Sequence, residues 1–542
     1  MKHTKINMKS SKLLLGALAL TFAVSCTDLE VEQTESINTE AFNGVVDPAT
    51  FIDGVYNSLN GQVGDQANLF ALSEVTTDAA LIPTRGSDWG DNGIWRQLHQ
   101  HDWRNDHTFI TNVWNQWNGT HFAGAQLLSP LTTLTNEQLG DASFLRAYGM
   151  FVILDNFGQI PVRDPEASLL VDPEVLSGQA AVDQIVADLN VAIANLPALA
   201  PGSGIGDNTS AHARGSKAAA RLLLAKVLLN KHIYLGTSPD SADMNQVISL
   251  VNDIEAEGYG LVDGYFDIFR NDLDNETIWF LPTAVGNRIW NGLHYNMAPE
   301  IAGGGWNGFS TLAEYYDLFE GDANINEPGS GQEERRGFVP TEGVPFTGAP
   351  GTTESGNFPG FEAGSNIGFG FLIGQQYEID GTPLQDRPGN PLFFTRDFVD
   401  GDGNSNLINN NEVTGIRLQK YNPRYGGFTE HEIVFRFSDA YLMRAEARLR
   451  SGGDATADVN ALRVLRGAAP LGTVTEQDIL DERGRELYAE LWRRNDMIRF
   501  GQYTRNWELK SPGAVGDANL NLFPIPASQV ILNPNLTQNP GY

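Results

Sequence analysis

Cysteine occurs once in the 542 residues, at Cys26, so no disulfide forms within the chain and packing and hydrogen bonds must hold the fold. Basic residues are also scarce: 36 Lys and Arg stand against 67 Asp and Glu, a formal charge of −31. A surface of that sign repels the phosphate backbone of nucleic acids and anionic lipid headgroups, whereas an uncharged ligand meets no such barrier. Catalytic signatures are missing too. There is no Gly-x-Ser-x-Gly elbow, no phosphate-cradling loop ending in Lys, and no His-Glu-x-x-His pair. Glycoside hydrolysis needs only two carboxylates about 5–9 Å apart, so a hydrolase stays an open alternative. Sequence spacing singles out no such pair among the 67 acidic residues.

The apolar run from Leu13 to Val24 follows Lys2, Lys5, Lys9 and Lys12 and is too short for a membrane-spanning helix. It reads as a secretory signal over 1–25. Ala23-Val24-Ser25-Cys26 looks like a relaxed bacterial lipobox, with Cys26 as the lipidated first residue of the mature chain. Residues 26–44 are polar and lack a period, as a tether would.

Helical periods then dominate two blocks, roughly 45–258 and 430–505. Phe51, Val55, Tyr56 and Leu59 share a face in the first helix. Phe144, Leu145, Tyr148, Phe151 and Val152 share another, as do Val182, Ile185, Val186, Leu189, Ile193 and Leu196 before Pro197. A helix from Ser216 should stop at Gly236. In the second block, Ile433, Phe435 and Phe437 alternate like a short strand, and a helix runs from Asp439 to the Gly452-Gly453 stop. Thr475 and Asp478 have capping-box spacing, opening a helix that carries Ile479, Leu480, Leu487, Tyr488, Leu491 and Trp492 inward. Helix starts near 181 and 216, and again near 439 and 476, lie about one tetratricopeptide period apart, roughly 34 residues, so the helices should stack as repeats.

Three motifs in order, DAYLMRAEA, ILDERGRELYAELWRRNDMIRFG and LFPIPASQVILNPNLTQNPGY, resemble the C-terminal signature of the SusD/RagB family. The N-terminal Thr-Arg-Gly, Asp-Trp and Leu-His-x-His-x-Trp segment resembles that family as well. The resemblance implies a mainly α fold: one SusD-like domain over 45–542, a tetratricopeptide-like scaffold bearing a large irregular, loop-rich lobe over about 260–430. The segment 506–542 would be extended. It also implies a non-catalytic, cell-surface glycan-binding lipoprotein of the outer membrane, working with a SusC-like TonB-dependent transporter. Acidic residues after Cys26 (Asp28, Glu30) are similar to surface-export tags of such lipoproteins. Arg483, Glu486, Arg493 and Arg494 in the second motif read as a solvated or salt-bridged face that folds the scaffold.

The working site should be aromatic. Trp89 and Trp95 stand in a loop of turn residues, and Trp279, Trp290 and Trp306 in or near the lobe. A sugar offers a C–H face to an indole and hydroxyls to Arg85, Asp88, Asp91, Asn92 and Asn307 beside them. Packing of the two helical blocks would bring the early loop against the lobe, so these side chains are expected to converge on one exposed face. The ligand expected is a neutral oligo- or polysaccharide, a laminarin-type β-glucan on the strength of the tryptophan-rich loop. Besides hydrolysis, the alternative is a purely structural transporter lid.

Two further clusters invite a metal. His99, His101 and His107 lack a further ligand at diagnostic spacing and read as structural. Asp400, Asp402 and Asn404 match positions 1, 3 and 5 of a calcium loop, but Ser405 replaces the turn glycine and Glu412 falls one residue late. A structural calcium or a plain Asp/Asn turn both fit those letters.

Overall fold

The computed structural model describes residues 42–168, 170–270, 272–283, 288, 291–297, 304–327, 329–339, 368–377, 382–421 and 431–542. Helix α1 (Pro48–Gly64) starts where the sequence supplies a cap and a stiff first residue: Asp47 accepts from the Thr50 amide at 3.2 Å and Pro48 presets φ. After α2 (Ile94–Gln100), five longer helices follow: α3 (Thr108–Leu127), α4 (Asn136–Phe157), α5 (Gly178–Asn195), α6 (Lys217–Leu235) and α7 (Ser241–Ala256). From α3 onward each packs chiefly on the next, as stacked helical repeats must to bury their apolar faces. The crossing of α3 on α4 needs Gly124, where a Cβ would lie 2.6 Å from the Cβ of Arg146. Helix α6 stops at Gly236, which takes the left-handed conformation (φ 63°) at the expected place. Helix α4 departs from its expected single face. It is buried on nearly every side from Gly140 to Phe157, because α1, α3 and α5 all pack against it.

The second helical block comprises α8 (Phe437–Arg450), α9 (Thr456–Leu465), α10 (Glu476–Leu487) and α11 (Arg493–Arg499), with a short α12 (Ala527–Leu532) in the C-terminal segment. Helix α8 packs on α7, so blocks far apart in sequence form one scaffold. The Thr475–Asp478 capping box closes in both directions. Helix α10, however, ends at Leu487. Ala489 (φ 59°) and Leu491 (φ 75°) turn the chain before α11, although Tyr488, Leu491 and Trp492 still reach the core.

Strands are short. β1 (Thr277–Leu281) pairs antiparallel with β6 (Glu432–Arg436), joining the lobe's start to the second block. In the lobe, β2 (Ser310–Thr311), β3 (Gly337–Phe338), β4 (Phe369–Leu372) and β5 (Ile416–Gln419) form an antiparallel sheet of order β2-β5-β4-β3. Among the described residues, Gly44–Pro165 and Asp172–Tyr542 make one compact unit. Glu166–Val171 groups apart from it and contains a turn closed by Val171 N donating to Ser168 O at 3.0 Å. No helix among the described residues is long and apolar enough to cross a membrane.

The charged residues of the second motif lie inside. Arg483, Glu486, Arg493 and Arg494 are all at most 4% exposed, so of the two readings, a solvated or a salt-bridged face, the structure takes the salt-bridged one and buries it. Arg493 clasps Asp78 through two bonds of 2.8 and 2.7 Å, tying α11 to the N-terminal block. Arg483 bridges Asp439 and Asp496, and Glu486 meets Arg335, Arg436 and Arg466. Burial alone would raise Glu486; the three guanidiniums outweigh it and hold the carboxyl far below its ordinary range. Helical spacing reveals that such charges share a face, but which face is covered depends on what packs over it.

Candidate functional site: an aromatic surface at the loop–lobe junction

The N-terminal loop is laced to the lobe through backbone bonds. Leu81 and Ser310 exchange amide bonds of 2.8 and 2.9 Å, and Thr84 N donates to Leu407 O at 2.9 Å. Arg85 and Asp88 close a tight turn by mutual bonds of 2.9 Å. Beyond it the chain is forced into left-handed conformations at Trp89 (φ 58°), Asp91 (φ 36°) and Asn92 (φ 53°), matched across the junction by Asn307 (φ 55°). Strained non-glycine backbone persists only where the surroundings over-determine it, and such sites are commonly functional.

Two buried arginines hold the Asn307 side of the junction. Arg85 donates to the carbonyls of Asn307 (2.9 Å) and Asn411 (2.8 Å) and to the hydroxyls of Thr414 and Ser310 (2.8 Å each). Arg417 grips the Asn307 side-chain oxygen at 3.0 and 2.8 Å and the Glu412 carbonyl at 2.7 Å. Among the described residues neither guanidinium bonds a carboxylate, and burial pushes Arg85 down to about 9. Asn307 completes the frame by donating to Glu412 O at 3.0 Å.

That frame presents two indoles. The Trp89 ring nitrogen donates to Trp306 O at 2.7 Å, across 217 residues of sequence. Trp306 is 40% exposed, and Trp89 is half-buried, edge-on to Trp95 at 5.9 Å. Trp95 is buried against Phe109 and Phe309, and its ring nitrogen donates to Asp91 at 3.2 Å. Asn92 and Asp91 are exposed beside them.

A clamp flanks the indoles. Asp88 accepts from the Tyr295 hydroxyl at 2.6 Å and from Arg387 at 2.7 Å, while the Arg387 guanidinium lies 3.8 Å over the Tyr295 ring. Arg387 also pairs with Glu412, whose other oxygen meets His294 at 3.1 Å. The Tyr295 bond and then Arg387 hold Asp88 below its ordinary range. Burial would raise Glu412, but the Arg387 amide and guanidinium and His294 outweigh it. His294 is pushed down to about 4 by burial and stays neutral. Sequence reasoning missed Tyr295, Arg387, Glu412 and Arg417. Only Tyr295, an aromatic among turn residues, carried a signal of the kind used for the tryptophans.

The expected set therefore divides. Trp89, Trp306, Asp88, Asp91 and Asn92 meet at one surface, and Trp95, Arg85 and Asn307 are buried supports beneath it rather than ligand-facing groups. Trp279 is elsewhere. It is fully buried on β1, opposite Phe435 and edge-on to Phe144 and Tyr148, because the strand is covered on both faces. Trp290 and Cys26 lie outside the described residues.

The histidines expected to be structural bond backbone carbonyls: His99 to Glu508 (2.9 Å), His101 to Thr76 (2.7 Å) and His107 to Ile94 (3.1 Å). In the calcium-like loop, Asp400 accepts from the amides of Asp402 (3.0 Å) and Asn404 (2.9 Å) on one oxygen and from the Asn406 side chain (2.7 Å) on the other. Those are the bonds of an Asx turn, as the plain-turn reading of these letters expects.

The tetratricopeptide-like scaffold with its loop-rich lobe defines a fold class, and comparison with known proteins agrees. The SusD family profile matches residues 275–542. The starch-binding protein SusD of Bacteroides thetaiotaomicron is 29% identical over 438 residues, 75% of this chain and 73% of that protein. A SusD-like protein from Bacteroides fragilis superposes with a TM-score of 0.66 at 18% identity, covering 93% of this chain and 98% of that one. A laminarin-binding SusD-like protein does so at 0.58 and 21%, covering 92% and 100%. The chain belongs to the SusD family.

Proposed function

We propose that this protein captures a neutral oligo- or polysaccharide on the Trp89–Trp306 surface without cleaving it. It would do so while lipid-anchored through Cys26 on the outer face of the outer membrane, and would hand the glycan to a SusC-like TonB-dependent transporter. The observation that carries the reading is the half-open Trp306 indole, on a backbone whose carbonyl takes the Trp89 ring nitrogen, edged by Asn92, Asp91 and the Arg387 clamp. An indole face takes the C–H face of a sugar ring, and the amide and carboxylate beside it take its hydroxyls. A glycan fits this surface better than an anion, since the exposed cation Arg387 is already paired with Asp88 and Glu412. A glucan is favoured by the names of two similar proteins, one starch-binding and one laminarin-binding.

Hydrolysis is disfavoured on chemical grounds. A glycosidase acid needs a raised pKa, and the clamp carboxylates Asp88 and Glu412 are both held low. Affinity electrophoresis against laminarin, starch and other neutral polysaccharides tests the proposal. Retention by one of them, with no new reducing ends on incubation, is expected. New reducing ends would make it a hydrolase, and no retention by any neutral glycan would leave a structural lid. Cys26→Ala should release soluble protein from membranes, and the transporter should co-purify in mild detergent.

A further inference from the structure

A cavity of about 490 Å³ opens where the C-terminal segment crosses the ends of the scaffold helices. It shares no lining residue with the Trp89–Trp306 surface. Its walls are the last turns of α4 and α6, the start of α5, and the tail around Ala518–Leu522. Gly158 lets the tail close over α4, since a Cβ there would stand 2.9 Å from Leu522 Cδ1. The volume falls within the range of small-molecule pockets, about 300–1,000 Å³.

The lining has a definite chemistry. Leu154, Ile233, Ile498 and Leu522 supply an apolar floor. Asp155 accepts from the Tyr234 hydroxyl at 3.0 Å and the Asn495 amide at 2.6 Å. Arg494, the neighbouring cation, is consumed: it faces Asp155 at 3.4 Å and donates to the Asn521 carbonyl at 2.6 Å. An incoming anion would meet the Asp155 carboxylate with no free cation to offset it. What remains open is neutral and two-sided. The Ser177 hydroxyl makes no capping bond, and the Asn519 and Asn521 side-chain amides have no partner among the described residues. Hydroxyls and primary amides both donate and accept, as the hydroxyls of a sugar do.

We propose that this cavity is a second carbohydrate site, taking a neutral mono- or disaccharide with its C–H face on the Leu154–Ile233 floor and its hydroxyls on Ser177, Asn519 and Asn521. A short sugar held here would be recognised by a rim of amides and a hydroxyl at the cavity mouth rather than by an indole platform. The site does not require the tryptophan surface to function, so the test removes that surface first.

In the full-length Trp89→Ala/Trp306→Ala variant, saturation-transfer NMR is run with glucose, galactose, maltose and laminaribiose, and with acetate as the anion. Transfer to at least one neutral sugar is expected. Adding Ala518→Trp, which fills the mouth, should abolish it, and Asn519→Ala/Asn521→Ala should weaken it about tenfold. Melting temperatures control for folding, and the asparagine pair decides the matter if Ala518→Trp fails to fold. No transfer to any neutral sugar, transfer untouched by the asparagine pair, or displacement of the sugar by acetate would each overturn the proposal. None of these outcomes bears on binding at the tryptophan surface, which the wild-type protein reports separately.

Discussion

Arginines are buried in two regions of this protein, and their partners differ. Within the scaffold and where the lobe meets it, Arg335, Arg436, Arg466, Arg483 and Arg493 meet carboxylates, and Glu486 alone serves three of them. Beneath the aromatic surface, Arg85 and Arg417 meet carbonyls, hydroxyls and one amide oxygen. Ion pairs lock side chains of packed elements to one another. Carbonyl-bound guanidiniums instead fix loop backbone, and they hold Asn307 in a conformation that residue would not choose. The scaffold thus uses buried charge for cohesion, and the site uses it for shape.

Breaking the scaffold side should produce the largest effect. Glu486→Gln leaves Arg335, Arg436 and Arg466 short of a buried counter-charge and should cost about 3–5 kcal/mol in urea unfolding. A change under about 1 kcal/mol would mean the network relaxes or admits water. Arg85→Met comes next. It removes four bonds to a charged donor and should cost about 2–3 kcal/mol, with glycan affinity falling at least as sharply. Unchanged affinity in a folded Arg85→Met protein would separate the frame from the site.

Trp306→Ala should do the reverse. Affinity for the cognate glycan should drop by more than about 1 kcal/mol in calorimetry, while the unfolding midpoint stays put, because the indole is half-open.

The pH dependence sharpens the contrast further. Burial lifts Glu74 from its ordinary 4.5 to about 8, so the folded protein holds a proton that the unfolded chain releases. Its contribution is complete below pH 4.5 and is lost as pH rises through about 8. Glu74→Gln, which cannot ionise, should therefore gain on wild type across that window in denaturation at successive pH values. Asp88, held low by Tyr295 and Arg387, has the opposite sign: its clamp persists at neutral pH and fails only on acidification below the ordinary carboxylate range. The smallest change expected is Asn92→Ala, about 0.5–1 kcal/mol in binding, read as relaxed selectivity between glycans.

What local chemistry encodes was readable directly. Capping at Thr475, the Gly236 stop and the apolar faces of α1, α5 and α6 act over a few residues, so their signals sit next to their effects. The order of motifs over the last hundred residues carried the family. Burial was not readable, because it is a property of what arrives from elsewhere. Five tryptophans looked alike in composition, yet Trp279 is covered on both faces of its strand while Trp306 opens to solvent. For Arg483 and Arg493 helical spacing leaves a solvated and a salt-bridged face equally open, and the arrival of Asp439, Asp496 and Asp78 decides for buried ion pairs. The sequence by itself determined the helices, their ends and the kind of scaffold they build. Only the tertiary structure decided which aromatics form a surface, since Trp89, Tyr295, Trp306, Arg387 and Glu412 become neighbours through pairings that span hundreds of residues and leave no local trace.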